Sequence, residues 1–152
     1  MQHTTINQTF IKMFTLITLC FTAFGFTTKF GLDSYEIYLN NKLILKQSVN
    51  QPLSLRVLQL NKANDNDQLR INYKHCTVKG AGTNRSIAIK DEKGNTLKEF
   101  EFANATSSDL NMVISVKDLL QLEKSNAHQE LSLHYTSREL PKGEMLASLH
   151  FN

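Results

Sequence analysis

Hydrophobic side chains in this sequence return at every second position through most of its length. Leu69, Ile71, Tyr73 and His75 alternate with Arg70, Asn72 and Lys74, and Met112, Ile114 and Val116 keep the same period. Successive side chains on a strand point to opposite faces, so a period of two predicts half-buried β-strands. The clearest pair is RSIAIKDEKGNTLKEFEFA, from Arg85 to Ala103. Gly94-Asn95 suits a two-residue type II′ hairpin loop, since glycine takes positive φ at the first loop position. That loop sets Ile89 opposite Phe100 and Ile87 opposite Phe102 on an apolar face. Lys90 then meets Glu99 and Asp91 meets Lys98, opposite charges in facing positions.

The same reading extends along the chain. Ser34 to Gln47 predicts two strands around a type I′ turn at Asn40-Asn41, with apolar side chains on both faces. Pro52 opens a run from Leu53 to Leu60 in which Leu53, Leu55 and Val57 alternate with polar residues. Asn61 to Asp67 and Asn104 to Asp109 read as polar turns, and Lys79 to Asn84 as a glycine-bearing loop. Lys117 to Lys124 is the one helical stretch, with Leu119, Leu120 and Leu122 inward; it is too short to be stable alone. The last hairpin joins Glu130–Ser137 to Met145–Phe151 through a three-residue loop, Pro141-Lys142-Gly143. Proline then begins a type I turn and glycine takes the left-handed bulge position. This register faces Leu133 with Phe151, Tyr135 with Leu149, and His134 with His150. About eight or nine short strands at this spacing predict an all-β, two-sheet antiparallel sandwich, loosely Ig-like, with one short crossover helix. The absence of Trp, and of any cysteine other than Cys76 within the strand-bearing part of the chain, argues against a true antibody-type domain.

A charge-free run, residues 13–26 (MFTLITLCFTAFGF), precedes the strands, flanked by Lys12 and Lys29. It is shorter than the roughly 20 residues of a spanning helix and matches a secretory signal helix. Residues 1–25 are therefore expected to be a signal peptide, or else an uncleaved anchor, and 26–152 a single sandwich domain. Ala23-Phe24-Gly25 places small residues at the cleavage-determining positions. Cys20 follows Leu19 inside the apolar run, which is not a lipobox. Lys and Arg number 17 against 14 Asp and Glu, a net charge of +3 that falls by one without the leader. So small and dispersed a surplus excludes a nucleic-acid footprint. Only Cys76 survives cleavage, so an intramolecular disulfide is excluded and a buried thiol is expected.

Candidate chemistry is sparse. His134 and His150, facing each other on neighbouring strands, are candidate ligands for Cu or Zn; two ligands fall short of the three or four that zinc sites use, and His128 is the nearest further imidazole. His75-Cys76 does not make a nucleophile–base pair on a regular strand, because adjacent side chains diverge. Lys79 to Ser86 lacks the Gly-Lys-Ser/Thr ending of a phosphate loop. Asp65-Asn66-Asp67 lacks the distal glutamate of a calcium loop. Asn84-Arg-Ser and Asn104-Ala-Thr match the glycosylation sequon.

The stretches FGLDSYEIYLNNKLILKQ, HCTVKGAG and LHYTSRELPKGEMLASLHF resemble those of small exported β-rich proteins of Gram-negative bacteria. The resemblance implies export and a β-rich domain, and brings neither an activity nor site residues. The resulting expectation is an exported, periplasmic or extracellular, non-catalytic domain that works by binding, through a strand edge or end loops. Its partner would be a protein or cell-envelope component, with no nucleic acid, no cofactor, and membrane contact only through an uncleaved leader. The alternatives are a periplasmic metal-binding domain using His134 and His150, and an enzyme built on a cleft with His75 beside a carboxylate.

Overall fold

Alternation of burial along β4, β7 and β8 turns one face of each sheet toward a shared core. The computed structural model describes residues 31–76, 81–106, 109–127 and 129–151. The expected leader, Lys79, Gly80, Ser107, Ser108 and His128 lie outside the described residues. The strands are β1 (Ser34–Leu39), β2 (Lys42–Ser48), β3 (Val57–Gln59), β4 (Gln68–Lys74), β5 (Arg85–Lys90), β6 (Thr96–Phe102), β7 (Asn111–Ser115), β8 (Leu131–Ser137) and β9 (Leu140–His150). Among the described residues one helix, α1 (Val116–Ser125), follows β7 directly. The first sheet has the order β2-β1-β4-β7 and the second β3-β9-β8-β5-β6. All pairings are antiparallel except β3 with β9, a parallel pair that the expected antiparallel sandwich did not include.

Tyr35, Ile37, Leu69, Ile71, Tyr73, Met112 and Ile114 supply the core from the first sheet; Ile87, Ile89, Leu131, Leu133, Tyr135 and Ala147 supply it from the second. The strand β4 shows the expected alternation, with Leu69, Ile71 and Tyr73 inside and His75 continuing that face. Leu119 anchors α1 in the core, while Leu120 and Leu122 pack at its margin. Among the described residues, no helix is long and apolar enough to cross a membrane.

Several registers differ from expectation, each for a local reason. In the β5–β6 hairpin, Ile87 faces Phe100 and Ile89 faces Lys98, two residues away from the expected pairing. The loop is Glu92-Lys93-Gly94, with Gly94 at φ +84° closing it by an N–H bond to the Asp91 carbonyl. The Asp91 carboxylate accepts from the Lys93 and Asn95 amides and from Asn95 Nδ2. An aspartate caps the turn before glycine can begin a two-residue loop. The apolar face survives because the shift is even; the expected Lys90–Glu99 and Asp91–Lys98 pairs do not form. Lys98 instead meets Asp118 of α1 at 3.2 Å.

The β8–β9 turn is Arg138-Glu139, not Pro141-Lys142-Gly143, because Ser137 already pairs with Leu140. The Glu139 carboxylate is tied to the Thr83 amide and hydroxyl at 2.8 and 2.9 Å, and the Arg138 amide donates to the Thr83 carbonyl. Gly143 does take positive φ, +72°, but as part of the extended β9 strand. Two register shifts then bring Leu133 opposite Ala147 and Leu131 opposite Leu149. Leu53 and Leu55 lie exposed on a 3-10 turn rather than on a strand, and only Val57–Gln59 pairs. At the β1–β2 turn only Asn40 has positive φ, where a type I′ turn needs two such residues. Asn40 earns that conformation by clamping Gln68 and the Asp67 carboxylate.

Candidate functional site

The groups with the most chemical potential converge where β1 begins and β4 and β8 end. Asp33 immediately precedes β1, His75 follows β4, and Tyr135 and Ser137 close β8; all four are buried. His75 Nε2 lies 3.0 Å from the Tyr135 hydroxyl and 3.3 Å from Ser137 Oγ. His75 Nδ1 lies 3.4 Å from Asp33 Oδ2. Asp33 also accepts from the Tyr73 hydroxyl at 3.0 Å and from the Cys76 amide at 2.8 Å. The Tyr73 ring stacks on Tyr135 at a centroid distance of 4.1 Å, joining the two sheets.

Carboxylate, imidazole and serine hydroxyl thus follow one another in the order of a hydrolase triad. Three features oppose that use. The His75 side chain is 0 % exposed. Tyr135 is closer to Nε2 than Ser137 is. Tyr73 shares the carboxylate oxygen nearest His75. Burial, reinforced by the Asp33 charge and hydrogen bond, pushes the Tyr73 phenol far above its ordinary range. Burial likewise raises Tyr135, against a lowering by its Ser137 hydrogen bond. These hydroxyls are therefore neutral donors that close the network rather than acids that open it. At its margin, burial works to raise the Glu139 carboxyl, but hydrogen bonds from Thr83 and Ser137 outweigh it and hold the pKa at about 2.

A second buried ion joins the sheets elsewhere. Arg56 donates to the Glu144 carboxylate and to the carbonyls of Met145, Val49 and Gln51. Four acceptors around one guanidinium are a structural pin, and they explain why an arginine is tolerated at 2 % exposure. Beside it the Tyr35 hydroxyl donates to the Leu146 carbonyl at 2.6 Å, and burial first of all pushes its pKa to about 12.

The two histidines proposed as metal ligands do not face each other. His134 pairs with Met145 on β9, whereas His150 pairs with Gln59 on β3. Continuing the Leu131–Leu149 register sets His150 opposite Glu130, so four residues of β8, roughly 13 Å, separate the imidazoles. The bulges in β9 are the cause, since they replace the loop from which the facing pair was derived. Among the described residues no three His, Cys, Asp or Glu side chains are grouped to hold a metal ion. Cys76 is partly exposed, against the expected burial, because it lies one residue beyond inward-facing His75. Asp67, in the segment expected to be a polar turn, accepts from Asn40 Nδ2 and the Asn64 amide as a turn residue.

Open surface lies at the sheet margins. β6 is an edge strand of seven residues, paired among the described residues only with β5. Glu99 and Glu101 lie on its outer face, opposite Ala88 and Ser86, while Phe100 and Phe102 pack at the core margin. A cavity of about 420 Å³ runs along it, lined by Asn84, Arg85, Ser86, Glu99, Glu101 and Phe102. Asp33, Arg56 and Ser137 escaped sequence reasoning. A charged residue abutting a strand in an apolar run (Leu32-Asp33, Leu55-Arg56-Val57) was the available signal for the first two. Ser137 carried none. No protein-family model, no curated protein and no solved structure matches this chain.

Proposed function

We propose that this chain is an exported, non-catalytic binding domain, a loosely Ig-like sandwich behind a signal helix. It works at the periplasm or cell surface by taking an extended segment of a partner protein along β6. The observation that carries this reading is the open ladder of β6, whose outward backbone groups meet no other strand among the described residues. An unpaired strand edge is a template for β-augmentation, in which main-chain bonds give affinity and alternate side chains give specificity.

Charge selects the partner. Antiparallel registers that pair most of β6 with a second copy and keep both inner faces on one side set Glu99 against Glu99, Glu99 against Glu101, or Lys98 against Lys98. Facing like charges destabilise a strand pair, so self-association is disfavoured. A segment with Lys or Arg at alternate positions would meet Glu99 and Glu101 on the outer face. Its intervening apolar residues would lie beside Phe100 and Phe102. The sealed state of the His75 network supports a binding role over hydrolysis, which needs a serine open to substrate. The test is calorimetric titration with extended peptides of Lys–apolar alternation against Glu–apolar counterparts. Preference for the basic peptides, abolished by Glu99→Lys/Glu101→Lys, supports the reading. Equal binding of both sets, or of neither, refutes it.

A further inference from the structure

We propose that His134 and Met145 form a site for a soft monovalent metal ion of the copper(I) type, independent of the β6 edge. The two residues are direct cross-strand partners on the outer face of the second sheet. Facing side chains have Cβ atoms about 5 Å apart, a separation that imidazole and thioether arms close on a single ion. Both line one cavity of about 320 Å³, together with Asp91, Glu92, Gly94, Glu130 and Ser132.

The bulge makes the pairing. Leu133 faces Ala147 and His134 faces Met145, which leaves Leu146 as the extra residue of β9. Leu146 and Ala147 both turn into the core, and the shift keeps Met145 outside beside His134. Bulges re-aim side chains in this way and are over-represented at functional positions. Ser132 Oγ lies 3.0 Å from His134 Nε2 and orients the ring, the part an outer-shell hydrogen bond plays in metal sites. Thioether with imidazole is a soft donor set suited to Cu(I), whereas zinc sites use three or four protein ligands. The acidic rim adds a general attraction for cations. No electron transfer is involved: the ion binds and leaves as Cu(I).

The test uses the full chain and Ag(I), a redox-inert mimic of Cu(I), followed by NMR of ¹³C-methyl-labelled methionines and of the histidine rings. Cys76 competes for the ion as a thiol, so the local Met145 methyl signal is the readout rather than total binding. Met145 and His134 are expected to shift together within about two equivalents, in the chain and in Cys76→Ser alike. The His134→Gln substitution should weaken the Met145 response about tenfold or more, while the Met145→Leu substitution should remove the His134 ring shift. Zn(II) should leave the Met145 signal unmoved. A Met145 methyl that does not respond to Ag(I), or that responds equally in His134→Gln, overturns the proposal.

Discussion

Replacing Asp33 with alanine separates a structural latch from an active site. The carboxylate accepts from the Cys76 amide at 2.8 Å and the Tyr73 hydroxyl at 3.0 Å, and it faces His75 Nδ1 at 3.4 Å. It is 3 % exposed, so water does not readily replace it. Each buried donor left unpaired costs about 1–3 kcal/mol. Partial repair by rotation of the Tyr73 hydroxyl leaves an expected loss of about 3–5 kcal/mol. For a domain of this size that lowers Tm by roughly 10–20 °C. Asp33→Asn keeps one carbonyl oxygen, so about half the loss is expected. The chain has no Trp, so the assay is urea and thermal unfolding followed by far-UV circular dichroism. Catalytic groups are commonly held at some expense to stability, and their removal is then neutral or stabilising. A loss below about 1 kcal/mol in Asp33→Ala would refute the latch. Ester hydrolysis abolished by Ser137→Ala would reinstate the triad.

Other outcomes follow from the same geometry. Arg56→Ala should cost about 3–5 kcal/mol, because Glu144 and three carbonyls lose their buried partner; Arg56→Met should recover part of it by filling the space, as urea midpoints would show. Acid unfolding should be governed by carboxylates depressed in the folded state. Glu139, held at about 2, stabilises the fold above its ordinary pKa, and that contribution is lost as pH falls from about 4.5 toward 2. After solvent screening it amounts to on the order of 1–2 kcal/mol, and Thr83→Val should flatten this part of the pH–stability curve. Buried Tyr73 works oppositely: its raised pKa stabilises the fold below about 10, and stability falls as the pH climbs above that, which Tyr73→Phe should lessen in an alkaline titration.

Face assignments could be read from the sequence, whereas registers could not. Period-two alternation placed Leu69, Ile71, Tyr73, Ile87, Ile89, Leu131 and Leu133 on the inner faces, because burial enforces parity and a slip by two residues preserves it. Turn chemistry chooses among registers of equal parity, and there two strong local signals lost. Gly94 serves a loop capped by Asp91, and Gly143 serves a strand anchored at Glu139 by Thr83, far away in sequence. Pairing His134 with His150 inherited that error, since side-chain proximity is the first casualty of a wrong register. The Asp33–His75–Ser137 convergence joins the ends of three strands from two sheets, and no local pattern encodes such a meeting.

Hydrogen exchange at the β6 backbone offers the sharpest trial of the binding role. Amides of β6 that point away from β5 have no strand partner among the described residues and should exchange fast in the free protein. A saturating Lys–apolar peptide should slow them by about tenfold or more at near-complete occupancy, leaving the short β3 edge unaltered. Protection appearing at β3 or the end loops while β6 stays unchanged would contradict the account.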